Sequence, residues 1–212
     1  FMKKKALALL LASAIAVGMT ACSSSDSADK SSYKVAIVQQ MDHASLDEIR
    51  VAIEAELDKK ATELGMDIKY EEFKGQNDAT ILNQIGTQVV SDGYDCVIPI
   101  ATLAAQCMQG TTEDTDIPVV FAAISDPVSA GLVDSLEKPG SNVTGTSDYL
   151  DASAILDMML AQNPDVKTVG LLYNKSEDSS KVPIEEAKKY LDEKKIAYVE
   201  KTGTTTDEIS MA

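Results

Sequence analysis

The alternation of short β-branched runs with longer amphipathic stretches is the feature that most constrains the fold of this chain. From Tyr33 onward the two kinds of segment follow one another in turn. This order is typical of an α/β protein, in which helices flank a parallel sheet. The apolar run Val35–Val38 predicts a first strand that is buried on both faces.

A first helix is predicted directly after this strand. Ser45 and Glu48 have the spacing of a capping box, and Gly65 is placed to end the helix. The apolar positions between them recur at helical spacing, at Leu46, Ile49, Ile53, Leu57 and Leu64. Strand, loop and helix therefore form the opening unit.

The same rhythm continues for three more strands, which we expect to lie parallel to the first. They are predicted at Ile68–Phe73, Cys96–Ile100 and Pro118–Ala122. Asn77 or Asp78 can cap an intervening helix, and a further helix is predicted from Thr102 to Gln109. The face of the intervening helix that is predicted to be buried comprises Ile81, Leu82, Ile85 and Val89.

A turn-rich segment at 140–147, around one short extended piece, marks a crossing between two lobes. We assign residues 33–147 to a first lobe and residues 148–212 to a second. The second lobe is predicted to contain helix Ala152–Leu160, strand Thr168–Tyr173, helix Pro183–Glu193, strand Ala197–Lys201 and the start of a helix near Thr206. Two strands bury too little surface for a core of their own, so we expect this lobe to be incomplete.

The N-terminal residues have the features of a secretory signal. Lys3, Lys4 and Lys5 precede an apolar run that is too short to span a bilayer. Small residues stand directly before Cys22, as in a bacterial lipobox, so acylation of Cys22 is expected. Residues 1–21 are therefore predicted to be a signal peptide, and residues 22–32 a lipid-bearing cysteine with a flexible, serine-rich tether.

Composition and motifs exclude several classes of function. The formal net charge of -15 argues against nucleic acid and anionic lipid surfaces as partners. The sequence lacks the motifs of nucleotide-binding proteins, dinucleotide-binding proteins and α/β-hydrolases. Neither a metal site nor a cofactor is predicted. Two buried free thiols at Cys96 and Cys107 are favoured over a disulfide.

Candidate ligand-binding residues follow from the geometry of parallel sheets. Ligands bind beyond the carboxyl ends of the strands, where loops converge and helix N-termini point inward. We expect free backbone N–H groups at Ser45, Leu46 and Asp47 to receive an anion such as a carboxylate. The predicted ligand-binding residues are Gln40, Met41, His43, Ser45, Thr102, Ser125, Asp126, Asp148, Tyr173 and Asn174.

Two of these residues have competing interpretations. His43, the only histidine, either contacts the ligand or serves the loop as a solvated side chain or helix cap. Asp126, at the end of an apolar strand, either pairs with a ligand ammonium or caps the following turn.

Four stretches together resemble the substrate-binding lipoproteins of ABC transporters with a type I periplasmic-binding-protein fold. They are VAIVQQMDHASLDEIRVAIEAEL, IATLAAQ, IPVVFAAISDPVSAGLV and PGSNVTGTSDYLD. The similarity is to the branch associated with tryptophan and other aromatic amino acids, and it extends from Tyr33 to the end of the chain. Ala44 departs from the proline that family members frequently carry after the histidine.

The resemblance implies two lobes that close on a small molecule, with neither an enzymatic activity nor a cofactor. The implied ligand is an amino acid with an aromatic or branched apolar side chain, and the implied partner is an ABC permease. The implied location is the outer face of the cytoplasmic membrane, through the lipid anchor, or the periplasm. A surface receptor that senses a ligand for a signalling protein is the alternative. A flavodoxin-like enzyme would need a phosphate-binding loop in place of Gln39–Asp42.

Overall fold

The computed structural model describes residues 32–212 and contains two parallel sheets. The first sheet has five strands in the order β2-β1-β3-β4-β5, and the second pairs β6 with β7. All of the paired strands run parallel, as predicted. The crossovers place β1 next to the middle of the first sheet, so its carboxyl end lies among the loops that follow its neighbours.

The elements agree closely with those predicted from the sequence. The strands are β1 (Ser32–Gln39), β2 (Asp67–Lys74), β3 (Cys96–Ile100), β4 (Val119–Ile124), β5 (Val143–Ser147), β6 (Thr168–Tyr173) and β7 (Ala197–Thr202). The helices are α1 (Ala44–Leu64), α2 (Ala79–Ser91), α3 (Thr102–Thr112), α4 (Ala152–Gln162), α5 (Lys181–Lys194) and α6 (Thr206–Met211), with a 3₁₀ turn at Asp178–Ser180.

The core of the first lobe lies between the sheet and helices α2 and α3. Residues Val35–Val38 are buried, which confirms the predicted interior strand. From α2, Leu82, Ile85 and Val89 are buried in this core, and Ile81 packs against it. Asp78 begins α2 by accepting hydrogen bonds from the backbone N–H groups of Thr80 and Ile81, at 2.6 and 3.2 Å.

Helix α1 differs from prediction at its start and at one apolar position. The predicted Ser45–Glu48 capping box is wrong, because the helix begins at Ala44 and His43 is its N-cap. Gly65 ends the helix in the left-handed conformation, as predicted. Leu64 continues the apolar spacing but is 59% exposed.

The second lobe packs α4 and α5 on one face of the two-stranded sheet. Its apolar core comprises Ala152, Leu156, Val169, Leu171, Ala187, Tyr190 and Leu191. Side chains alternate between the two faces of a strand, so Leu172 and Val199 point to the other face and are about half exposed, at 52% and 50%.

Cys96 and Cys107 are both free thiols, as predicted, with Cys107 buried and Cys96 half-buried. Burial raises the pKa of the Cys96 thiol to about 11, which keeps it protonated and unreactive at neutral pH. Within residues 32–212, no helix is long and apolar enough to cross a membrane, and no cluster of side chains is suited to a metal ion. The predicted signal peptide, Cys22 and the predicted tether up to residue 32 lie outside the described residues, apart from Ser32.

Candidate functional site

Most of the predicted ligand-binding residues lie directly after β1, β3 and β4 in the first lobe and β6 in the second; the exceptions are Asp148, which follows β5, and Tyr173, which is the last residue of β6. Strands β1, β3, β4 and β6 end at Gln39, Ile100, Ile124 and Tyr173. The first three are neighbours in one sheet, so their loops emerge at a common edge.

Gln40 is buried, and both polar atoms of its side chain form hydrogen bonds. Its side chain is 4% exposed, and its Oε1 accepts a hydrogen bond from the Leu103 backbone N–H at 2.9 Å. Its Nε2 donates to Asn77 Oδ1 at 2.7 Å. Gln40 therefore links the end of β1 to the first turn of α3 and to the loop before α2, and holds these three segments together at this edge of the sheet.

His43 takes the capping role rather than leaving the α1 N-terminus open. Its Nδ1 accepts the Ser45 backbone N–H at 3.3 Å, and its carbonyl accepts the Asp47 backbone N–H at 2.9 Å. The prediction of free N–H groups at Ser45 and Asp47 is therefore wrong, since the chain satisfies both itself. The His43 side chain is exposed and uses only Nδ1 in this bond, while Met41, two residues earlier, is half-buried.

Thr102 follows a strained residue at the start of α3. Ala101 has φ 78° and ψ 163°, a backbone conformation that is nearly restricted to glycine. The backbone N–H of Ala101 donates to Ala122 of β4 at 3.0 Å, and its carbonyl accepts from Ala105 at 3.1 Å. These two bonds hold the turn, and they leave Thr102 buried at the edge where the loops meet.

Ser125, Asp126 and Asp148 lie together beyond β4 and β5. The Ser125 carbonyl accepts from the Ser147 hydroxyl at 3.2 Å, and the Asp148 N–H donates to the Ile124 carbonyl at 3.1 Å. Asp126 Oδ1 accepts the backbone N–H groups of the two residues after Pro127, at 3.1 and 2.9 Å. Asp126 thus caps its turn with one carboxylate oxygen, and Asp126 itself is half-buried.

Tyr173 and Asn174 occupy the corresponding position in the second lobe. The Tyr173 hydroxyl donates to Glu200 at 2.8 Å, and this bond raises the pKa of the phenol. Asn174 Oδ1 accepts the Ser176 N–H at 2.9 Å and shapes the loop. Both residues line a cavity of about 310 Å³, together with Lys175, Ser180, Lys181, Ile184, Glu185 and Lys188.

The structure adds three residues that the sequence did not single out, namely Glu177, Asp178 and Gln106. Glu177 and Asp178, after β6, reach Gln40, Asn77 and Gln106 of the first lobe. Glu177 and Asp178 lie four and five residues after the end of β6. Extending the loop-after-strand rule by those few residues would have found these carboxylates, whereas nothing in the sequence indicates their partners.

A larger cavity of about 560 Å³ contains none of the ten predicted residues. It is lined by Gln106, Gln109, Gly110, Glu113, Thr115, Ser141 and Asn142. We favour the strand ends as the functional site, because buried polar groups from several loops converge there.

Comparison with known proteins agrees with this architecture. Residues 34–212 match the model of a family described as ABC transporter substrate binding protein. A tyrosine-binding protein of Clostridioides difficile is 36% identical over 220 residues, covering 99% of this chain and 63% of its own length.

Two solved structures have nearly equal sequence similarity to this chain. The ABC domain from Streptococcus pneumonia in complex with L-Trp is 37% identical with a TM-score of 0.78, covering 85% of this chain and 60% of its own. The ligand-free, open form of a substrate binding protein with adhesive properties from Clostridium difficile is also 37% identical, with a TM-score of 0.64 and coverages of 84% and 60%.

The chain therefore spans roughly three fifths of the length of these relatives, at 63% and 60%. Its described part has the parallel α/β architecture of type I periplasmic binding proteins, which confirms the predicted fold class. Because the family model covers the chain from residue 34 to residue 212, this chain belongs to the ABC transporter substrate-binding protein family.

Proposed function

We propose that this protein captures an aromatic amino acid outside the cytoplasm and delivers it to an ABC permease, without transforming it. The observation that carries the proposal is the convergence of loops from both lobes on one edge of the first sheet. There Gln40 Nε2 lies 3.5 Å from Glu177 Oε2. Support comes from the relatives named for tyrosine and L-Trp at 36% and 37% identity.

An amino-acid ligand needs a partner for its ammonium group, and Asp126 is the proposed one. Only Oδ1 of Asp126 takes part in the two bonds that cap its turn, so Oδ2 is left for the ligand. Met41 and Tyr173 offer apolar surface from the two lobes for an aromatic side chain. Thr102, Ser125, Asp148 and Asn174 supply polar groups around them, and His43 supplies Nε2.

The N-terminal expectations complete the proposal. Cleavage before Cys22 and acylation of its sulfur would tether the receptor to the membrane, while the serine-rich segment after it lets the lobes turn freely. Labelling with a radioactive fatty acid tests this step. The wild type should incorporate label and Cys22→Ser should not, and equal labelling of the two proteins would refute acylation at Cys22.

Thermal denaturation of the full-length protein with candidate ligands tests the function. A ligand that binds only the folded state at about 100 times its Kd stabilises the protein by about 2.7 kcal/mol. L-Trp, L-Tyr and L-Phe should raise the melting temperature, and glucose and glycine should not. A response to glucose with none to the aromatic amino acids would overturn the assignment.

Asp126→Asn tests the ammonium contact without removing the cap. The amide oxygen still accepts the two backbone N–H groups, while the negative charge is lost. We expect affinity for the best amino acid to fall by about tenfold or more with little change in melting temperature. Asp116→Asn, an exposed carboxylate of the same lobe, is the matched control and should bind normally.

A further inference from the structure

The two lobes are joined by polar contacts that involve a pair of adjacent carboxylates. Asp178 Oδ2 accepts a hydrogen bond from Gln106 Nε2 at 2.9 Å. Glu177 is farther from its donors, with Oε2 3.5 Å from Gln40 Nε2 and Oε1 3.4 Å from Asn77 Nδ2. Each contact crosses from the loop after β6 to the first lobe.

The first-lobe partners are all neutral amides, held in place by other bonds. Gln106 Nε2 also donates to the Ala130 carbonyl at 3.1 Å, and Gln40 is fixed by the start of α3. On the other side, Asp178 is paired with Lys181 in the first turn of α5. Donor and acceptor are therefore both oriented before they meet, which reduces the entropy lost when the contact forms.

The structure in which these contacts form superposes better on the L-Trp complex than on the open, ligand-free relative. At the same 37% identity and nearly the same coverage, this chain matches the L-Trp complex with a TM-score of 0.78 and the open, ligand-free relative with 0.64. Separation of the lobes would break all three contacts, since each joins a residue before position 147 to one after it.

We propose that Glu177 and Asp178 form a latch that stabilises the closed form, with Asp178–Gln106 as its principal bond. The proposal rests on the proposed function and adds a pair of positioning residues to it. The latch residues raise ligand affinity by increasing the fraction of protein molecules whose lobes are closed. A ligand that binds only the closed form has an apparent Kd equal to its intrinsic Kd divided by that fraction.

A double-mutant cycle on Gln106 and Asp178 in the full-length protein tests the latch. Each single change, Gln106→Ala and Asp178→Ala, should weaken L-Trp binding by about three- to tenfold, as measured by calorimetry. The double variant should bind no more weakly than the worse single variant. Fully multiplicative losses would show that the two side chains act independently and would overturn the proposal.

Distance measurement between spin labels, one on each lobe, provides the readout that a merely structural role would not move. Asp178→Ala and Glu177→Ala should lengthen the mean interlobe distance of the ligand-free protein, a change that a loss of folding stability alone would not produce. Asp178→Asn, which keeps an acceptor oxygen, should fall between wild type and Asp178→Ala. Glu193→Gln, an exposed carboxylate on α5, is the control and should leave the interlobe distance unchanged.

The two proposals fail in distinguishable ways. Loss of the aromatic ligand assignment would appear as absent binding in the wild type, and the ligand-free distance measurements would still decide the latch. Unchanged distances in Asp178→Ala would overturn the latch even if L-Trp binds tightly.

Discussion

Replacement of Ala101 by glycine should stabilise the protein, against the usual effect of glycine. Ala101 has φ 78° and ψ 163°, where an L-residue with a Cβ is strained by roughly 1–3 kcal/mol. Glycine adopts this conformation without that strain. Two effects oppose the gain: glycine gives the unfolded chain about 0.4–1 kcal/mol more entropy, and a half-buried methyl group worth about 0.4 kcal/mol is lost.

The balance is a net stabilisation of about 1 kcal/mol, or roughly 2–4 °C in melting temperature for a chain of this size. Urea denaturation of the full-length protein, followed by circular dichroism, measures this change as a shift in midpoint with an unchanged dependence of the free energy of unfolding on urea concentration. The matched control is Ala104→Gly, in the interior of α3 and fully buried, at 0% exposure. That change should destabilise by about 2 kcal/mol, because helix propensity and a buried methyl group are both lost.

The essential result is that Ala101→Gly and Ala104→Gly change the free energy of unfolding in opposite directions. If Ala101→Gly destabilises the protein as Ala104→Gly does, then the turn before α3 is not strained and the reasoning is refuted. An unchanged unfolding midpoint would mean that the strain is no larger than the entropy and burial terms that oppose it.

Three further predictions concern caps, core and acid stability. Asp78→Ala removes the α2 cap and should cost about 1 kcal/mol in urea denaturation, whereas the exposed Asp114→Ala should cost nothing measurable. Leu82→Ala, at a site of 0% exposure, should cost about 2–5 kcal/mol through lost burial and the cavity that remains. Hydrogen bonds from Gln106 and then Lys181 lower the pKa of Asp178, so its contribution is present above its ordinary pKa and lost as acid protonates it. The free energy of unfolding should therefore fall below about pH 4, and Asp178→Asn should flatten that fall.

The agreement between predicted and observed elements has a local physical cause. A buried parallel strand needs a continuous apolar run, and a helix that flanks it needs a stripe at helical spacing, so both leave patterns within a few residues. Thr168–Tyr173 was predicted to the residue for this reason. The start of a helix depends on which side chain accepts a free backbone N–H group. Ser45 was predicted in that role, and His43 fills it.

The sequence by itself determined the parallel α/β class and the positions at which the strands end, because chain order and apolar spacing are enough to place strand ends. Only the tertiary structure decided that Ala101 is held at positive φ, and that Glu177 and Asp178 meet Gln40 and Gln106. Those features arise between segments that are 20 to 140 residues apart, and their geometry is set by how the sheets and lobes pack, which no local pattern records.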